Sequence, residues 1–144
     1  MSKTDPLRPS VPGSKEGMEA RPMRPPSPPW RVLLVDDCAD DAELTMIELR
    51  AAGIPADFAR ADSEASLLAA LDRAIPHLVL SDLNMPGFDG PQALAIVRQR
   101  APQARFVFLT GALREDARLP AVDGVLLKHD LHALPGLVRG LLGA

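Results

Sequence analysis

Short apolar runs, each stopped by a polar residue, constrain this chain more than any other feature. Arg31-Val32-Leu33-Leu34-Val35 ends at Asp36-Asp37, Leu78-Val79-Leu80 at Ser81-Asp82, Arg105 to Leu109 at Thr110, and Gly124 to Leu127 at Lys128. Apolar runs this short and this continuous suit strands covered on both faces in a parallel sheet. Ala56 to Ala61 predicts a weaker strand, second in chain order.

Helix signals separate these runs. Asp40-Asp41-Ala42-Glu43 has the form of a capping box, with Leu44, Ile47 and Leu49 following at helical spacing and Gly53 and Pro55 stopping the segment. Ser63 predicts the cap of a second helix, with Leu67, Leu68 and Leu71 on its apolar face and Pro76 beyond its end. Pro91 fits the first turn of a third helix that runs to about Arg100. Leu134, Leu137, Val138, Leu141 and Leu142 give the last helix an apolar face packed on the core. Asp130 is a good capping type, but Pro135 lies too deep for a helix starting there, so the start is predicted near Ala133. Between Thr110 and Lys128 a fourth helix is expected within Leu113 to Leu119, short or irregular and limited by Pro120. Strands alternating with helices predict an α/β fold, a five-stranded parallel sheet with right-handed crossovers and helices on both faces.

The chain divides near Trp30. The first 30 residues hold eight of the 15 prolines and few large apolar side chains, too few to offset the entropy of ordering the chain. Residues 1–29 are therefore read as a disordered Pro-rich tail, and residues 30–144 as one domain.

Composition excludes several functions. A net charge of −3 gives no support to nucleic-acid binding. The single cysteine, Cys38, excludes an internal disulfide and a cysteine-based zinc cluster. No apolar run approaches the roughly 18 residues of a membrane span, and the N-terminus has no apolar signal core, so a cytoplasmic setting is expected. No strand is followed by a Gly-rich phosphate loop ending in Lys-Ser/Thr.

Ligands of open α/β sheets bind beyond the carboxyl ends of the strands. Those ends carry Asp36, Asp37, Asp82, Thr110 and Lys128. Three crowded carboxylates call for a cation, and hard oxygen donors suit Mg²⁺. An ionised Asp82 beside such an ion is a nucleophile for a phosphoryl group. Lys128 can hold a phosphoryl oxygen as a point charge, and the Thr110 hydroxyl can donate to another.

These residues resemble the receiver domain of bacterial two-component response regulators. Leu33-Leu34-Val35-Asp36-Asp37 is similar to that family's first-strand motif, and Ser81 to Gly90 to its phosphoacceptor loop. Phe108-Leu109-Thr110-Gly111 is similar to its fourth-strand switch, and Leu126-Leu127-Lys128 to its lysine site. The resemblance covers residues 31–144 and implies a flavodoxin-like, doubly wound sheet. It implies that Asp82 is the phosphoacceptor, taking its phosphoryl group from a phosphohistidine on a sensor histidine kinase or phosphotransfer protein. Mg²⁺ would be held by Asp37, Asp82 and the backbone carbonyl of Asn84, with Asp36 acting through water. Thr110 and Lys128 would contact the phosphoryl group, while Asn84 and Ala112 would tune its lifetime; a small Ala112 leaves water access and favours fast dephosphorylation. Such a domain is a phosphoacceptor switch rather than an enzyme, and with no output domain on the chain its signal would leave by protein–protein contact rather than through DNA.

Two positions depart from the family pattern. Val125 stands where an aromatic residue is usual, three before the lysine. His129 follows the lysine in place of proline, so a trans bond and a rearranged loop are expected. Asn84 stands where aspartyl-phosphate hydrolases carry a second Asp, which argues against that class. The rival reading is a pseudo-receiver, an interaction module that works without phosphorylation. Among the remaining polar residues, Asp40, Asp41 and Asp89 are read as loop and capping residues, Cys38 as packing, and His77, His129 and His132 as lacking metal-ligand spacing.

Overall fold

The computed structural model describes residues 29–143. The reading of residues 1–29 as a disordered tail lies, but for Pro29, outside the described residues. From Trp30 onward the elements are β1 (Trp30–Val35), α1 (Ala39–Ala51), β2 (Ala56–Ala61), α2 (Glu64–Arg73), β3 (Leu78–Asp82), α3 (Gly90–Arg100), β4 (Arg105–Thr110), β5 (Gly124–Leu127) and α4 (Leu134–Leu142). A 3₁₀ segment, Lys128–Ala133, leads into α4, and Ala133 occupies its N-cap position as the Pro135 argument requires.

All five strands are parallel, in the order β2-β1-β3-β4-β5. The fold is a flavodoxin-like, doubly wound architecture, with a switch point between β1 and β3 where the winding reverses. Side chains alternate across the sheet. Leu33, Val35, Val79, Phe106 and Phe108 pack on one face with Leu67 and Leu71 of α2 and Leu94 and Val97 of α3. Val32, Leu34, Leu78, Leu80, Val107 and Leu109 pack on the other with Leu49 of α1 and Leu134 and Val138 of α4.

Caps form where the sequence places them, with one exception. Ser63 and Ser66 make a reciprocal capping box at α2, and Asp89 and Gln92 make another at α3, with Pro91 in its first turn. The predicted box at Asp40–Glu43 does not form: α1 begins after Cys38, without a side-chain cap. Its face also differs from the predicted one. Ala42, Thr45 and Leu49 are buried, whereas Leu44 and Ile47 are half exposed. Leu44 lies two residues from Ala42, about 200° around the helix, so the small face and the leucine cannot both meet the sheet. Cys38, read as a packing residue, is exposed.

No fourth helix forms between β4 and β5 among the described residues; residues 111–123 are irregular. Leu119 and Val122 of this segment pack against the core cluster that α2 and α3 cover. Val125 is correspondingly 37% exposed.

At the amino end of the sheet, His77 Nδ1 accepts the Arg31 backbone N–H at 2.9 Å, and its ring meets Trp30 edge-on at 5.0 Å. Burial, with the nearby Arg31 charge, holds His77 below its ordinary value of 6.5. The unfolded chain therefore takes up this proton first as pH falls through 6.5, and the native state loses stability until His77 itself protonates. Between about pH 7.5 and about pH 5.5 the thermal midpoint should fall more steeply in the wild type than in His77→Asn. Equal slopes in the two proteins would contradict a neutral, accepting His77.

Candidate functional site

The carboxyl ends of β1 and β3 flank the switch point, and Asp36 and Asp82 stand at those ends. Asp36 continues β1, its backbone N–H donating to the Ala61 carbonyl at 3.0 Å. Its carboxylate is buried and held at both oxygens: Oδ1 accepts the Cys38 N–H at 2.9 Å, and Oδ2 accepts from Lys128 Nζ at 2.9 Å. Asp82 closes β3 and is held in the same way, Oδ1 by the Asn84 N–H at 3.2 Å and Oδ2 by Lys128 Nζ at 3.3 Å. Asp37 is exposed at the rim.

Lys128 arrives from the end of β5 and joins these groups into one cluster. Burial opposes its charge, but hydrogen bonds to Asp41 and Asp36 and the charges of Asp36 and Asp82 outweigh that, holding its pKa above the ordinary lysine value. The Asp82 pKa is raised as well, which for a carboxyl favours the neutral form. Burial and the neighbouring Asp36 raise its carboxyl above its ordinary 3.8, against the opposing pull of Lys128 and the Asn84 N–H. One ammonium does not balance the charges of Asp36, Asp37 and Asp82.

Asp36, Asp37 and Asp82 each offer a carboxylate oxygen within 4.8 Å of the other two. Oxygen donors this close, with a net negative charge left after Lys128 is counted, fit a hard divalent cation.

Thr110 ends β4 and is buried. Its hydroxyl donates to the Ala112 carbonyl at 3.0 Å and accepts a long 3.4 Å contact from Asn84 Nδ2. The sequence-selected residues Asn84, Thr110 and Ala112 thus form one chain beside Asp82. Asp89 takes the capping role that the sequence predicts.

Asp41 does not. Its Oδ2 accepts from Lys128 Nζ at 2.7 Å, the shortest of the three carboxylate contacts to that lysine. That hydrogen bond lowers the Asp41 carboxyl pKa, in spite of some desolvation. Sequence reasoning also misses Arg60, whose guanidinium donates to the Asp36 backbone carbonyl at 2.8 Å. Neither residue carries a motif; only the parallel pairing of β1 with β2 brings Arg60 to this rim.

Comparison with known proteins agrees with this fold. The profile of the response regulator receiver domain matches residues 32–129. The chain is 36% identical over 119 residues to the response regulator protein FleR of Pseudomonas aeruginosa, a match covering 78% of this chain and 25% of FleR. It therefore spans about a quarter of that relative's length. The response regulator TrrA of Thermotoga maritima, solved in complex with Mg²⁺ and BeF, is 28% identical with a TM-score of 0.67, over 78% of this chain and 99% of that one. The Mn²⁺-bound form of the response regulator Rcp1 is 26% identical with a TM-score of 0.67, over 81% and 97% of the two chains.

Proposed function

This chain belongs to the response regulator receiver domain family, and from that premise we propose that it is a phosphorelay switch whose phosphoacceptor is Asp82. The observation that carries the reading is the setting of Asp82: a strand-end carboxylate inside an acidic trio, with an N–H on one oxygen and an ammonium on the other. Asp37, Asp82 and the Asn84 carbonyl would hold Mg²⁺, with Asp36 acting through water. When bound, the ion offsets carboxylate charge and withdraws charge from phosphoryl oxygens.

The phosphoryl donor is a phosphohistidine of a sensor histidine kinase or phosphotransfer protein. An Asp82 oxygen attacks phosphorus, the P–N bond breaks, and the imidazole leaves carrying a proton from solvent. Lys128 follows the charge to a phosphoryl oxygen. Thr110 exchanges its bond to the Ala112 carbonyl for a second phosphoryl oxygen, and in leaving it frees the residues 111–123 segment to move. Water later attacks phosphorus, releasing phosphate and restoring the Asp82 carboxylate. The small Ala112 leaves that water a path, so the phosphorylated state is short-lived. The domain promotes only its own phosphorylation and dephosphorylation, and its output is a changed surface read by another protein. No helix among the described residues is long and apolar enough to cross a membrane. The setting proposed for this exchange is the cytoplasm.

The test is intact-mass spectrometry after incubation with Mg²⁺ and a small acyl phosphate. One phosphoryl group should appear on the wild type, and none on Asp82→Asn or after chelation of Mg²⁺. Incorporation that survives Asp82→Asn would overturn the assignment. One observation favours the pseudo-receiver instead: exposed Val125 beside a β4–β5 segment without a helix removes the usual route from threonine to surface. That reading expects a folded wild type that takes up no phosphoryl group.

A further inference from the structure

Lys128 has three carboxylate partners, and they are not equivalent. Asp36 and Asp82 belong to the trio that fits a cation; Asp41, on the first turn of α1, does not. Asp41 nevertheless makes the shortest contact, 2.7 Å against 2.9 Å for Asp36 and 3.3 Å for Asp82. A divalent ion and an ammonium compete for the same two carboxylates, because each offsets the same negative charge. When an ion sits among Asp36, Asp37 and Asp82, Asp41 is the one carboxylate partner of Lys128 that stands outside that trio.

We propose that Asp41 is a positioning residue: it retains Lys128 at the rim of the pocket while the cation and the phosphoryl group occupy Asp82, so the ammonium need only cross from Asp41 to a phosphoryl oxygen. This role rests on Asp82 being the phosphoacceptor. Its neighbour Asp40 carries the same charge on the same helical turn and makes no hydrogen bond or ion pair with Lys128, so it separates a specific contact from a diffuse field. The Asp41 side chain is 39% exposed, and its backbone carbonyl, which accepts from Thr45, is untouched by substitution, so Asp41→Asn should fold.

The experiment follows the Lys128 ammonium by ¹⁵N NMR, which is tractable because the only other lysines are Lys3 and Lys15. An ammonium fixed on carboxylates exchanges its protons slowly enough to be seen; a solvated one does not. With saturating Mg²⁺ the signal should persist in the wild type, in Asp40→Asn and in Asp41→Glu, and be lost in Asp41→Asn. Phosphorylation from an acyl phosphate should slow in Asp41→Asn and recover in Asp41→Glu. Loss of the wild-type signal on adding Mg²⁺, or its survival in Asp41→Asn, would overturn the proposal. Equal losses in Asp40→Asn and Asp41→Asn would reduce it to bulk charge and overturn it too. A wild type that shows the expected lysine signals yet takes up no phosphoryl group would sink the phosphoacceptor reading, leaving of the proposal only the retention of Lys128 by Asp41. A pocket whose Asp36 and Asp82 signals ignore Mg²⁺ would overturn both.

Discussion

Gly90→Ala is expected to destabilise the fold by about 3 kcal/mol, at the upper end of what overpacking a tight site costs. Gly90 opens α3 and its N–H donates to the Leu83 carbonyl at 2.9 Å. A Cβ there would lie 2.7 Å from Phe108 Cε1, 2.8 Å from the Asp82 carbonyl oxygen and 2.9 Å from Leu83 Cα. Two of those three neighbours are backbone, and the third is the ring of a fully buried phenylalanine, so none gives way cheaply. The displaced backbone is that of Asp82 itself, so phosphoryl uptake should fall together with stability. Gly140, inside α4, is the control, because a Cβ added there would meet nothing within 4 Å. Gly140→Ala should stabilise by about 0.5–1 kcal/mol through lost unfolded-state freedom. Urea midpoints of the two variants check both; a neutral Gly90→Ala would contradict the close approach of α3 to β3.

Lys128→Met is expected to reduce phosphoryl uptake at least tenfold, on the order of 1.4 kcal/mol of lost transition-state stabilisation, because no cation then follows the charge to the phosphoryl oxygen. The folded protein also loses the counter-charge of Asp36, Asp41 and Asp82. Removing one partner of a fully buried pair costs about 3–5 kcal/mol; with 39% of the Asp41 side chain in water, about 1–2 kcal/mol is expected here. The sign of the pH dependence follows from Asp41. Its folded pKa lies below its ordinary 3.8, so the stabilisation it draws from Lys128 is present above pH 3.8 and is lost as pH falls through the lowered value. The gap between wild type and variant should therefore be wide near neutrality and narrow in acid. Denaturant midpoints across that range measure it, and a gap that widens in acid would contradict the ion-pair geometry.

The strands and the residues at their ends are legible in the sequence because burial on both faces leaves a strand interior few polar options, Ser81 in β3 being a buried exception, so the polar residue that closes each run marks the rim. Asp36, Asp37, Asp82, Thr110 and Lys128 all emerge in this way. The helix faces are less legible. Periodicity in α1 offers Leu44 and Ile47, but the sheet accepts Ala42, Thr45 and Leu49, a choice made by tertiary packing rather than by spacing. Asp41 has the look of a capping residue because its first turn has that composition, whereas its partner Lys128 lies 87 residues away. The β4–β5 segment carries a few apolar residues without helical spacing, and two of them, Leu119 and Val122, reach the core from irregular backbone.

Asp82, and no other carboxylate of the cluster, is expected to carry the phosphoryl group. Borohydride reduction of the phosphorylated protein converts an aspartyl phosphate to homoserine, which peptide mapping then locates. Homoserine at position 82 alone is the predicted result; homoserine at Asp36, Asp37 or Asp41, or at no position in a folded protein treated with Mg²⁺ and a phosphodonor, would contradict it.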